Sequence, residues 1–278
     1  MLKKLLSSIK KKQLRRHHKK NVKHLVFFHI PRTGGSSVWH ALAAKASLQQ
    51  ISIIDLYNIG AAQFSDSSKT LEAISDRQRL LRKQTCLIHH HTEVKIENFF
   101  DNPPLYATIV RDPFDRFISD IKHLSAYMRS QNSSKAIVVG ELELMKDMAN
   151  PSIDIHSLID IYSRSDYFQN YYRNWFGKLL LGRNGLGGDE DITDVYDPRF
   201  PAYVRRAFKN ISCFTDLNKS LRAIANSFEI PLDHVQLGHL NKTPKKQTFE
   251  SMHSKYALRF EKDYSFLKDL GFHYKRRC

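Results

Sequence analysis

The sequence predicts an α/β fold of three layers, a central, mostly parallel sheet flanked by helices. Three observations carry that prediction. Residues 24–30, "HLVFFHI", form a short, nearly continuous apolar run, the mark of a strand buried on both faces. The run ends at Pro31 and passes through a glycine-containing turn into "SSVWHALAAKA", which is helical in composition, with Ser36 or Ser37 placed to cap it. Two further runs, "TCLIHHH" and "PLYATIVRDP", each look like a core strand running into a polar end.

The 278 residues, 41% hydrophobic and 11% aromatic, suffice to bury a sizeable core, and a single domain is expected over 24–278. A basic tail at 1–23 precedes it. The formal charge of +16 is unevenly spread: residues 1–24 hold ten Lys/Arg and no Asp/Glu, which leaves 34 basic against 28 acidic side chains for the rest. The folded body is thus only mildly basic. In the tail, Leu2, Leu5, Leu6 and Ile9 follow helical spacing. Two readings of it stand: a disordered arm, or an amphipathic segment making a weak contact with a membrane surface or anionic polymer. No run is long enough to span a bilayer and no secretory signal is present, so a soluble, cytoplasmic protein is expected. Cys86, Cys213 and Cys278 are odd in number and widely spaced, as reduced thiols would be.

Along the chain, 48–84 reads as polar, helical or irregular, with little chemistry. Beyond the strand that ends near 110, Asp112 is a good helix N-cap and Pro113 a good first residue. Phe114, Phe117, Ile118, Ile121, Leu124 and Met128 then make an apolar helical stripe, with Arg116, Ser119 and His123 on the opposite face. An aromatic-rich helical stretch fills 152–181. The loop "GRNGLGGDEDITDVYDP" at 182–198 is read either as a surface excursion or as a lid. A strand–helix pair at 211–228, a polar loop "GHLNKTPKKQ" and a last helix around "YALRFEKDYSFLKDLGF" complete the chain.

The first turn is built to hold an anion. A strand-to-helix turn of small residues points several backbone N–H groups at one place, where the helix adds positive potential. Thr33, Ser36 and Ser37 supply hydroxyls, Gly34 and Gly35 allow close approach of the backbone, and Arg32 adds a fixed charge. The pattern G-x-x-x-x-G-K-[ST] of nucleotide-hydrolysing loops is missing. A second anion element is "IVRDPFDRFIS": Arg111 stands at a strand end, and Arg116 with Ser119 on the following helix. Two such elements imply one ligand with two separated anionic groups.

"HIPRTGGSS" resembles the phosphosulfate-binding loop, and "RDPFDRFIS" the 3′-phosphate motif, of sulfotransferases that use 3′-phosphoadenosine 5′-phosphosulfate (PAPS), above all the glycan O-sulfotransferases that include the heparan sulfate 2-O and 6-O enzymes. "DYFQNYYRNWFG", "HLNKTPKK" and the last helix are similar to later family segments, so the resemblance covers most of the chain from 24 onward. It implies a P-loop-like fold, PAPS as cofactor with 3′-phosphoadenosine 5′-phosphate as product, no metal, and a carbohydrate or glycan hydroxyl as acceptor. It implies that Arg32, Thr33, Gly34, Gly35, Ser36 and Ser37 hold the phosphosulfate, that Arg111, Arg116 and Ser119 hold the 3′-phosphate, and that Asn241, Lys242 and Thr243 close over the cofactor. Arg32 departs from the family's usual Lys: it stabilises charge but can hardly donate a proton. The base comes from "LIHHHTEV". A His-x-His match to the 2-O enzymes selects His91 with His89 as helper, and a match through Thr92 and Glu93 selects His89. Alternation puts His89 and His91 on one side of an extended chain and His90 on the other.

Lys245 and Lys246 are placed to meet an anionic acceptor. A metal site from Cys86, His89 and His91 has no second ligand cluster to support it. Two other function classes fit parts of the sequence. One is a P-loop-like kinase, which needs magnesium and a strand-end carboxylate. The other is a non-enzymatic polyanion binder acting through the tail. No motif points to a specific nucleic acid, and none specifies the acceptor or the oligomeric state.

Overall fold

The structure is a computed structural model that describes residues 23–56, 72–90, 96, 99–130, 142–165, 176–177, 180, 195–232, 237, 252 and 255–274. The chain forms two compact units, one from 1–110, 182–193 and 202–241, the other from 111–181, 194–201 and 242–278.

The first unit holds a five-stranded sheet in the order β2-β3-β1-β4-β5, parallel throughout. Its strands are β1 (Leu25–Phe28), β2 (Ser52–Asp55), β3 (Cys86–His90), β4 (Leu105–Val110) and β5 (Phe208–Cys213). Every residue of β1 and β3 is buried, as the apolar run of β1 predicts, and in β3 the burial extends over the polar end to His89 and His90. The region 48–84, read from sequence as helical or irregular, contributes β2, a correction that matters below. Helix α1 (Gly35–Leu48) follows β1, and it shares a core with Leu25 and Phe27 on one sheet face. On the other face, Thr108 Oγ1 donates to the Phe28 carbonyl at 2.7 Å, so a buried hydroxyl is satisfied. β1 lies in the middle, with β3 on one side and β4 on the other. Its C-terminal end is therefore where connections leave in opposite directions, the usual place for a ligand in such sheets.

The second unit is helical. It contains α2 (Pro113–Ser130), α3 (Leu142–Ala149) and α4 (Ile155–Arg164). Helix α5 (Phe200–Ala207) leads into β5 of the first unit, α6 (Leu217–Ser227) follows β5 there, and α7 (Glu261–Asp269) ends the second unit. The apolar stripe of α2 is confirmed: Phe114, Phe117, Ile118 and Ile121 are buried in one cluster with Leu158 and Phe260, and Leu124 and Met128 pack against it. Among the described residues, no helix is long and apolar enough to cross a membrane.

The start of α2 is capped as predicted. Asp112 Oδ1 accepts from the Asp115 backbone N–H at 2.9 Å. The Tyr264 hydroxyl donates to both Asp112 oxygens, at 3.1 and 3.0 Å, which ties α7 to this cap. Burial, aided by the neighbouring Asp112 carboxylate, pushes the Tyr264 phenol well above its ordinary range. Asp112→Ala is expected to cost about 2–3 kcal/mol, since it removes a helix cap and strands a buried hydroxyl. Tyr264→Phe keeps the cap and is expected to cost about 1 kcal/mol. Urea unfolding of both variants checks the order, and equal losses would show that the cap carries nothing.

Candidate functional site

The turn after β1 is tight and strained. Within 31–34, Arg32 has φ 67° and Gly34 φ 77°, both in the left-handed region. That conformation costs a non-glycine residue roughly 1–2 kcal/mol. The Thr33 side chain is fully buried and its hydroxyl donates to the Ile30 carbonyl at 2.7 Å. It braces the turn from inside, which leaves the backbone of Thr33 rather than its hydroxyl for an anion. Helix α1 begins at Gly35 with Gly34 as its cap, so Ser36 and Ser37 do not cap it. They stand half-buried in the first turn, which holds no acidic residue. The N-cap thus makes no side-chain capping bond, and the first turn itself brings no negative charge to the N-terminal amides.

The two glycines serve the protein's own packing. A Cβ at Gly34 would come within 2.9 Å of Leu217 and 3.0 Å of Phe214. One at Gly35 would come within 2.3 Å of His29 Cδ2 and 2.7 Å of its Nε2. The His29 ring therefore lies directly against the first residue of α1.

His29 is the near end of a chain of three side chains, two buried histidines and a half-buried aspartate. Its Nδ1 is 2.9 Å from His89 Nε2, and His89 Nδ1 is 3.1 Å from Asp55 Oδ1. Sheet register explains the chain: Phe27 pairs with His89, and His89 with Asp55. These three share one face, and His29 falls on the same face two residues after Phe27. Trp39 of α1 stacks on His89, with centroids 4.3 Å apart, and closes the chain off. His29 and His89 are each 2% exposed. Burial holds His89 below the usual histidine range, partly offset by Asp55.

The sequence-predicted histidines separate as alternation requires. His89 lies on the α1 face with both ring nitrogens engaged by His29 and Asp55. His90 meets Phe28 edge-on at 6.1 Å. His91 lies outside the described residues, as do Asn241, Lys242 and Thr243. Cys86 is three residues before His89 and so on the opposite strand face, which rules out a metal shared by the two. Burial raises its thiol to about 11, the behaviour of an inert core cysteine.

In the second unit, Arg111 directly follows β4 and is half-buried. Burial lowers its pKa, and the nearby Asp115 and Asp112 carboxylates work against that shift. Ser119 is half-buried and His123 exposed, but Arg116 corrects the reading of an open polar face. It is 1% exposed, with its guanidinium 5.7 Å from the centre of the Phe176 ring, because α2 is covered on that side as well.

Asp55 and His29 were not among the candidates that sequence reasoning offers. The one signal for His29 is a polar residue inside an apolar run; Asp55 reads as an ordinary end of a polar segment. No model of a known protein family matches the chain, and no curated protein matches it.

Helix propensity alone favours alanine over glycine by about 1 kcal/mol. At Gly35 the close ring reverses the sign, and Gly35→Ala is expected to destabilise by about 1–3 kcal/mol. A neutral or stabilising result in urea unfolding would remove the His29 contact from the account. A second expectation concerns pH. His24 and His89 are both held below the ordinary range by burial, so below about pH 6.5 the unfolded chain binds more protons than the folded one. Stability is expected to fall as pH drops from 7.5 to 5.5, and His24→Gln should make that fall shallower. A urea midpoint that stays constant over this range would contradict it.

Proposed function

We propose that the protein is a PAPS-dependent O-sulfotransferase acting on a carbohydrate hydroxyl. The observation that carries the reading is the turn at 31–37: a strained, uncapped strand-to-helix turn at the C-terminal end of the middle strand, in a sequence that resembles a phosphosulfate loop. Strained backbone of the kind seen at Arg32 clusters at functional sites. The donors fit a phosphate-type group, since backbone amides at a helix N-terminus and a guanidinium both favour negative charge.

In this proposal the backbone of Thr33, Gly34 and Gly35, the hydroxyls of Ser36 and Ser37, and Arg32 hold the phosphosulfate end. For the 3′-phosphate the reading rests on the sequence resemblance and assigns Arg111 and Ser119. The desolvated charge of Arg111 gains from an anionic partner. Arg116, buried against Phe176, supports the helix from inside. Asn241, Lys242 and Thr243 are proposed to close over the nucleotide, again on resemblance. When bound there, PAPS would supply a sulfuryl group for in-line transfer from phosphate oxygen to the acceptor oxygen. Arg32 and the turn amides stabilise the charge left on the phosphate side. A base must take the hydroxyl proton. His91 is proposed for that step on the sequence resemblance, rather than His89, because both His89 nitrogens are already engaged.

Thermal unfolding with 3′-phosphoadenosine 5′-phosphate, compared with ATP and AMP, tests the proposal. At a hundred times its dissociation constant the nucleotide should add about 2.7 kcal/mol, and ATP and AMP should add little. Equal shifts with all three, or none, would overturn the assignment. His91→Ala should keep the shift and lose transfer activity about 10²–10⁴-fold; retained activity moves the base elsewhere.

A further inference from the structure

A cleft in the second unit opens between α2 and α4. Its volume is about 180 Å³, and its walls are Lys122, Ser125, Ala126 and Arg129 of α2 with Ile155 and Leu158 of α4. The two walls differ in chemistry. Lys122 and Arg129 stand two helical turns apart and so share one face of α2. The α4 wall is aliphatic, from the half-buried Ile155 and the buried Leu158. Among the described residues that line the cleft, none is acidic. The nearest carboxylate in sequence, Asp154, is engaged at the N-cap of α4, where it accepts from the His156 and Ser157 amides at 2.8 and 3.1 Å.

The cations are held in different ways. Arg129 Nη2 donates to the Asn150 and Ile153 carbonyls at 2.9 and 2.8 Å. Both hydrogens of that nitrogen are thus used, which fixes the plane of the guanidinium, and Nε and Nη1 keep theirs for a ligand. A fork fixed in advance loses little freedom when it grips an oxyanion. Lys122 is half-buried, and burial together with the charge of Arg111 holds its ammonium below the usual lysine range. A neighbouring anion offsets both effects. Behind this wall the Ser125 hydroxyl donates to the Met148 carbonyl at 3.1 Å and ties α3 to α2.

We propose that the cleft binds a small phosphate monoester, its phosphate between Lys122 and Arg129 and its apolar body against Ile155 and Leu158. Two cations match a phosphate monoester, with a charge of roughly −2 and three acceptor oxygens, better than they match a carboxylate. The volume sets the size. It equals roughly six waters at about 30 Å³ each, and it falls below the ~300 Å³ at which pockets for drug-sized ligands begin. A phosphate on a short apolar body fits, and a whole nucleotide does not. The site rests neither on the turn after β1 nor on PAPS.

Calorimetric titration of the full chain with phenyl phosphate, inorganic phosphate and benzoate tests the site. Phenyl phosphate should bind about tenfold tighter than either of the others, because inorganic phosphate lacks the apolar body and benzoate the second charge. Equal affinities would overturn the assignment. Lys122→Gln and Arg129→Gln should each weaken phenyl phosphate by about 10–100-fold. Arg129 also holds the segment that leads into α4, so a variant that leaves it in place is needed as well. Ala126→Leu keeps both charges and fills the cleft from an exposed position of α2. It should abolish binding and leave the urea midpoint unchanged; wild-type affinity in this variant would show that the cleft is not the site. Excess 3′-phosphoadenosine 5′-phosphate should leave phenyl phosphate bound, and displacement would assign the probe to a nucleotide site instead.

Discussion

The contact between the His29 ring and the Gly35 backbone constrains the passage from β1 into α1. Gly35 opens the buried stripe of α1, which continues through Val38, Trp39, Leu42 and Ala46 at helical spacing. A side chain at the head of that stripe would occupy the place of an imidazole. Because none is there, the helix can start directly over His29. One turn later Trp39 reaches His89 and stacks on its ring. For the chain to travel from His29 to Gly35 in so few residues it must reverse sharply, and left-handed conformations at Arg32 and Gly34 accomplish this. Strain, helix start and histidine burial are consequences of a single close approach.

Locally encoded features were legible in the sequence. β1 announces itself as an unbroken apolar run and β3 and β4 as mainly apolar ones, and the cap of α2 is written in Asp112 and Pro113. β2 was not legible. It has four residues, it is an edge strand, and only one of its residues is fully buried, so neither alternation nor composition marks it. Asp55 acquires its meaning from register with His89, 34 residues away, and nothing local encodes a register between parallel strands. His29 is hidden for a similar reason, since its partners lie on β3 and α1.

The residues that sequence placed correctly but explained differently share a cause. Gly34 and Gly35 were read as clearance for a ligand, and the space beside them is filled by Leu217, Phe214 and His29. The Thr33 hydroxyl was read as a donor to an anion, and it is used on Ile30. Arg116 was read as a face residue and is enclosed with Phe176. In each case a motif fixes which residue type the position requires, while the physical demand comes from a neighbour distant in sequence. A turn that must hold charge firmly has to be rigid first, and rigidity is supplied by packing from behind.

Arg32 follows from the same argument. A guanidinium stays protonated at any physiological pH, so it offers a charge to the turn but cannot pass a proton. Lysine at this position would offer both. With arginine in place, the turn carries a charge that does not depend on proton exchange. The backbone that bears it is held from behind, since the His29 ring rests on the first residue of α1 and is itself joined to His89, whose other ring nitrogen meets Asp55. A charge on a long, flexible side chain is thereby anchored to a segment that packing keeps in one conformation, left-handed at Arg32 and Gly34.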